Sequence, residues 1–233
     1  MNLLSRLFVA GLLLAGAALA DHIVPPEDRI PTDWLGPRVL SPAEAGIGKP
    51  IPDLRLGSVF GGDISLHGAG GDRGTVILVR DPECPVSQVY GPRQAELARR
   101  YQPRGFNFIV LYLNDLLGAE AIAADAGGFD GPAVFVRGNG YALAKVLGVE
   151  STGDVFVLDE DHRLVYRGAV DDQYGIGYTR PLPMRRLLQD ALDALSSGRI
   201  PPVQATTAPG CHIDASPDQG PVLQPWSPEE QSS

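Results

Sequence analysis

Of the 233 residues only two are cysteines, and both lie in settings that bear on thiol chemistry. Cys84 sits in Arg80-Asp81-Pro82-Glu83-Cys84-Pro85-Val86-Ser87, between an apolar run and a stretch with helical spacing. Pro85 suits the first position of a helix, which makes Cys84 the expected N-cap. There the unpaired N–H groups and the helix dipole favour a thiolate, the form that attacks disulfides and peroxides. Asp81 and Glu83 act in the opposite direction, since nearby negative charge raises a thiol's pKa. Arg80 and Arg93 are the cations able to offset them, and the sign of the balance is open at this level. Cys211 lies in Pro209-Gly210-Cys211-His212, far downstream. Two cysteines exclude a disulfide-dense mini-scaffold and a four-cysteine zinc site.

The elements that must position these residues alternate in type. Leu54 to Phe60 and Ile64 to Leu66 flank Gly61-Gly62 and predict a hairpin. Thr75 to Val79 (TVILV) and Phe106 to Leu113 (FNFIVLYL) predict buried strands, and Ala133 to Val136 a short one. Val86 to Tyr101 predicts a long helix with Val89, Leu97 and Tyr101 on its inner face; Leu116 to Ala126 and Tyr141 to Val149 predict two shorter helices. Asp154 to Leu158 and Leu164 to Val170 predict a second hairpin around Asp159-Glu160-Asp161-His162, and Met184 to Leu195 a final amphipathic helix closed by Gly198. Strands alternating with helices, then a hairpin and a last helix, call for an α/β sandwich around a mixed sheet.

Both ends differ from this middle. Arg6, the apolar run Leu7 to Ala17 and Ala18-Leu19-Ala20 read as a cleaved secretory signal over residues 1–20, too short for a membrane anchor, which needs about 20 apolar residues. The expected location is therefore periplasmic or secreted, with no membrane attachment after cleavage and with cysteines exposed to oxidants. Residues 21–44 form an irregular proline-rich leader in which Trp34 and Leu35 are candidate docking residues. Residues 201–233 form a Pro-rich tail, expected to be disordered after about residue 213. A net charge of −9 argues against nucleic acid and against an anionic membrane surface as partners. Gly175-Ile176-Gly177 lacks the strand and helix of a dinucleotide loop, and Gly68 to Gly74 lacks the ending of a phosphate-binding loop. Asp171, Asp172, Gln173 and Tyr174 read first as a solvated loop, with a lip near the cysteine as the alternative.

Strand, Cys-Pro-x-x, long helix, strand, helix, strand and terminal helix together resemble the thioredoxin superfamily. The opening VLSPAEAGIGKPIPDLRL and the stretch LAKVLGVESTGDVFVLDEDHRLVYRG resemble its redoxin branch, the peroxiredoxins and periplasmic thioredoxin-like proteins. Residues 171–213 are similar to a bacterial redoxin subgroup with a CPxS centre and a Gly-Cys-x-Ile ending. The resemblance implies a thioredoxin-like three-layer α/β/α sandwich over residues 45–200, with a mixed central sheet and an N-terminal hairpin extension. It implies thiol–disulfide chemistry at Cys84, with Pro85, Ser87, Arg80, Arg93 and Gly153 as activating or substrate-binding residues. The sequence also departs from the wider pattern. Ser87 stands where thioredoxins have a second cysteine, Gly153 where they have a cis-proline, and no threonine precedes Cys84 as in peroxiredoxins. A dithiol within one loop is excluded, and peroxide reduction is disfavoured.

Cys211 is then the expected resolving partner of Cys84, carried on a flexible arm, and the exchange partner a protein or small thiol or disulfide. Two alternatives remain: a structural bridge that ties down the tail, and a Cu(I) site formed by Cys84, Cys211 and His212 in a copper-binding accessory protein. A degenerate domain that only binds a partner protein is a further reading. No cofactor is expected under the oxidoreductase reading. His22, His67 and His162 have no evident partners in the sequence.

Overall fold

The computed structural model describes residues 36–114, 116–137 and 140–213. The signal, most of the leader including Trp34 and Leu35, His22 and the tail beyond residue 213 lie outside the described residues. The elements run β1 (Arg55–Gly57), β2 (Asp63–Ser65), β3 (Gly74–Arg80), α1 (Pro85–Tyr101), β4 (Phe106–Tyr112), α2 (Ala119–Gly128), β5 (Val134–Val136), α3 (Gly140–Leu147), β6 (Val155–Asp159), β7 (Leu164–Gly168), β8 (Tyr174–Gly175), β9 (Tyr178–Thr179) and α4 (Leu187–Ser196).

The central sheet has the order β5-β4-β3-β6-β7. Strands β3, β4 and β5 are parallel, while β6 is antiparallel to both β3 and β7. The parallel strands are joined through α1 and α2, as such crossovers require. Strand β3 is buried along its whole length, which explains why Val76 to Val79 are apolar without alternation. One face of the sheet packs Val76, Leu78, Phe108 and Val110 against α1, α2 and α4. The other packs Ile77, Val79, Ile109 and Leu111 against α3 and the β1–β2 hairpin. This is the three-layer thioredoxin-like sandwich with a mixed sheet that the sequence led us to expect.

The β1–β2 and β6–β7 hairpins form as expected, the first turning at Gly61 and Gly62. Three expectations need correction. Val89 is not an inner-face residue of α1: it is 46% exposed, and Tyr90 takes the buried position. The last helix begins at Leu187 and not at Met184, because the Asp172 carboxylate accepts the backbone N–H groups of Met184 and Arg185 and holds them in a turn. Residues 171–174 are not a solvated loop. Asp171, Asp172 and Gln173 are buried. Asp171 accepts the Tyr90 hydroxyl at 2.8 Å and pairs with Arg93 at 2.8 Å, fixing the segment to α1.

The packed fold also extends beyond residues 45–200. Val39 pairs with Thr206, and Ala205 lies beside Arg167 of β7, so the chain after α4 covers the edge of the sheet. Gly168, at φ +141°, makes this crossing possible: a Cβ there would collide with the Thr206 hydroxyl. His67 and His162 do have a partner, namely each other, with rings stacked at 3.6 Å between centroids.

Candidate active site

Strand β3 delivers the chain to Arg80 and Asp81, and a short turn then starts α1. Cys84 is the N-cap of that helix, with extended backbone angles and Pro85 in the first turn. Its carbonyl accepts the Gln88 N–H at 3.0 Å, the first bond of the helix. The turn is tied by the Ser87 hydroxyl, which accepts the Asp81 N–H at 3.0 Å, and by the Asp81 carboxylate, which accepts the Glu83 N–H at 2.8 Å. Ser87 therefore holds the turn that presents Cys84, from the place where a second thiol was expected to be missing.

Arg80 anchors the same turn from below. Its guanidinium forks onto Asp125 of α2 at 2.7 and 3.1 Å and donates to the Gln94 side chain at 2.7 Å and to the Ser87 carbonyl at 3.3 Å. Tyr112 donates its hydroxyl to the same carboxylate. Arg80 is thus committed to a buried network and Arg93 to Asp171. Neither acts on the Cys84 sulfur as the offsetting charge considered from sequence; what stabilises the thiolate is hydrogen bonding.

Opposite Cys84, the turn before β6 is knotted by Asp154, whose carboxylate accepts the N–H groups of Glu150 and Ser151 at 2.7 and 3.0 Å. The knot presents Thr152, whose hydroxyl lies 3.1 Å from the Cys84 sulfur. The tail seats on this turn. Thr152 N–H donates to the Cys211 carbonyl at 3.0 Å, Cys211 N–H donates to the Thr152 hydroxyl at 2.9 Å, and Ile213 N–H donates to the Glu150 carbonyl at 2.9 Å. Gly153 faces the arriving chain: a Cβ there would lie within the van der Waals shell of the Pro209 carbonyl. Its place in this structure is that of a seat for the tail.

The result is a cysteine pair with sulfurs 2.8 Å apart, both free thiols in this structure. A disulfide needs about 2.05 Å, so bond formation asks for a small approach and no rearrangement of the fold. The two sulfurs differ in character. Cys84 is 2% exposed and Cys211 is exposed. Burial pushes the Cys84 thiol up, but hydrogen bonds from the Cys211 thiol, the Thr152 hydroxyl and the N–H groups of Ser87 and Cys211 outweigh it and bring the pKa below the usual thiol value. Cys211 is pushed up to about 11, first because its proton is held on Cys84, then by burial and by the charges of Cys84 and Asp81. Of the two sulfurs, Cys84 is thus the one that gives up its proton more readily. A cavity of about 380 Å³ opens beside Cys211, walled by Asp81, Asn114, Tyr141, Thr152 and His212. Cys84 is not part of its wall.

His212 bridges to Ser151 in the tail seating. Among the described residues no cluster of three or more His, Cys, Asp or Glu side chains has a metal-binding arrangement, the proposed Cys84, Cys211 and His212 set included. Thr152 is the site residue that sequence reasoning missed. Its only signal was its place next to Gly153, in the turn before β6.

No family profile matches the chain, and no curated protein does. Solved structures do. An uncharacterized conserved protein from Geobacillus kaustophilus is 28% identical, with a TM-score of 0.65 over 74% of this chain and 94% of that one. The hypothetical protein SMc02350 from Sinorhizobium meliloti is 23% identical, with a TM-score of 0.63 over 77% of this chain and 97% of that one. Peroxidoxin BcpB from Mycobacterium tuberculosis is a weaker match, 15% identical with a TM-score of 0.49 over 66% and 98%. The first two likenesses show that the fold is shared.

Proposed function

We propose that the chain is an exported thiol–disulfide oxidoreductase whose Cys84 and Cys211 cycle between dithiol and disulfide. Cys84 is the nucleophilic thiolate and Cys211 the second cysteine of the couple, and the substrate is a thiol or disulfide of a protein or small molecule outside the cytosol. The observation that supports this most is the pair itself: two thiols 2.8 Å apart at a helix N-terminus, the buried one with its pKa brought down by hydrogen bonds. Closing the disulfide takes two electrons from the pair. In a first exchange one sulfur of the pair, as thiolate, joins a substrate sulfur and the other substrate sulfur leaves as a thiolate. In a second, the remaining sulfur of the pair attacks its partner in that mixed disulfide and the second substrate thiolate leaves. Cys84–Cys211 thus closes, and the substrate disulfide ends as two thiols that take up the two protons.

A structural bridge and a working couple share this geometry but not their chemistry. A structural disulfide in an exported protein has a potential below about −300 mV and resists the glutathione pool. Stabilisation of the reduced form through the Cys84 thiolate raises the potential and favours exchange. The test is titration of the protein against glutathione redox buffers, followed by peptide mapping without reductant. A Cys84–Cys211 bond that opens and closes within the range of those buffers supports the reading. Two persistent free thiols, or a bond that no dithiol reduces in the folded protein, would overturn it.

A further inference from the structure

The two sulfurs of the couple stand in unequal relation to solvent, and this bears on which of them meets the partner. Resting on the redox reading above, we propose that Cys211 is the interchange sulfur, the atom on which the mixed disulfide with the partner forms, and that Cys84 acts only inside the protein. This inverts the order suggested by the sequence, in which a partner joins Cys84 and Cys211 resolves it.

Exposure comes first. With the tail seated, Cys84 is covered by the Thr152 turn and by Cys211, at 2% exposure, whereas Cys211 is open to solvent. Attack on a disulfide proceeds in line with the S–S bond. A thiolate aimed at Cys211 approaches from the side away from Cys84, the outer side. The cavity of about 380 Å³ has Cys211 in its wall and not Cys84, so open space adjoins the outer sulfur alone of the two. Attack on Cys84 requires the tail to lift, breaking the bonds that join Thr152 to Cys211 and Glu150 to Ile213.

Leaving-group chemistry agrees. A disulfide is cleaved faster when the departing sulfur is the weaker base. Cys84 is that sulfur, received as it departs by the Thr152 hydroxyl and the Ser87 N–H.

The steps balance as follows. A partner thiol loses its proton to solvent, and its thiolate attacks the Cys211 sulfur. The bond between the partner sulfur and Cys211 forms as the Cys84–Cys211 bond breaks, and the electron pair departs on Cys84. A second thiolate of the partner then attacks the partner sulfur of the mixed disulfide. Cys211 leaves and takes a proton. The partner dithiol is oxidised to a disulfide and the couple is reduced by two electrons. In the opposite direction, the Cys84 thiolate attacks a Cys211-linked mixed disulfide and expels the partner thiol.

The experiment uses the full chain in its disulfide form, with glutathione as the probe thiol. Samples are quenched in acid during the first turnover and mapped by mass spectrometry. Glutathione on Cys211 with Cys84 free, in at least about tenfold excess over the reverse adduct, is the expected result. Glutathione on Cys84 overturns the proposal. A second measurement guards against exchange between the two positions: the opening rate is compared for thiols of increasing bulk but equal basicity. Entry at exposed Cys211 gives a nearly flat series; a steep fall with bulk indicates entry at Cys84 and overturns it. A disulfide that no thiol opens in the folded protein, or the absence of any disulfide, counts against the redox reading as a whole and is distinct from either adduct pattern.

Discussion

Replacing Thr152 by valine keeps the branching and volume of the side chain but removes the oxygen that touches both halves of the site. That oxygen donates toward the Cys84 sulfur at 3.1 Å and accepts the Cys211 N–H at 2.9 Å. A hydrogen bond to a charged group contributes about 1.5–3 kcal/mol, so losing it lowers the acidity of Cys84 by about ten- to a hundredfold. The second bond matters less for stability, because Cys211 is exposed and water can replace the lost acceptor. The assay is thiolate ultraviolet absorbance against pH in the reduced protein, with Thr152→Ser as a control that retains the hydroxyl. Thr152→Val should raise the pKa of Cys84 and Thr152→Ser should leave it close to the parent. An unchanged Cys84 in the valine variant would refute the argument that side-chain hydrogen bonding, and not arginine charge, stabilises this thiolate.

Gly153→Ala places a methyl group against the Pro209 carbonyl; overpacking of this kind costs about 1–3 kcal/mol, so tail seating should weaken and iodoacetamide should label Cys84 about five- to a hundredfold faster. Unaltered labelling would mean that the tail does not shield Cys84. Arg80→Met leaves the Asp125 carboxylate without its cation, and denaturant unfolding should show a loss of about 3–5 kcal/mol, which Arg80→Lys does not restore because lysine cannot fork. For His162, burial first and the neighbouring His67 second lower the folded-state pKa. The unfolded chain therefore takes up the proton first, and stability should fall as pH drops through and below the unfolded value of about 6.5. Urea unfolding over that window checks the sign, and His162→Asn, which tolerates the positive φ at this position, should flatten the dependence.

Where neighbours along the chain set the structure, the residues announced it. The apolar run of β3 implied burial on both faces, and Cys84-Pro85 marked the start of α1. The rarity of cysteine made Cys211 conspicuous. Where the setting depends on residues far along the chain, local patterns misled. Aspartates in succession read as solvated, yet Asp171 and Asp172 are buried because Tyr90, Arg93 and backbone N–H groups satisfy them. The same contact seats Tyr90 where an apolar count along the helix favoured Val89. Thr152 could not be found from its surroundings in sequence, since its significance comes from docking a residue 59 positions away. Arg93 looked like a counter-charge for Cys84 because sequence reports nearness along the chain and not which carboxylate a guanidinium finds first.

The crossing of the tail over the sheet edge also sets how far its thiol can wander. Thr206 is buried against Gly168, and Thr207 exchanges hydrogen bonds with Arg38, its N–H donating to the Arg38 carbonyl and its hydroxyl accepting the Arg38 N–H. If the last contacts on the Thr152 turn let go, Cys211 remains on a leash of four residue steps from Thr207, a reach of about 13–14 Å. Confinement to that volume keeps one thiol before Cys84 at an effective concentration on the order of 0.1 M. A free thiol would have to reach comparable concentration to compete for the same partner sulfur. The leash thus returns Cys211 to Cys84 whenever those last contacts open.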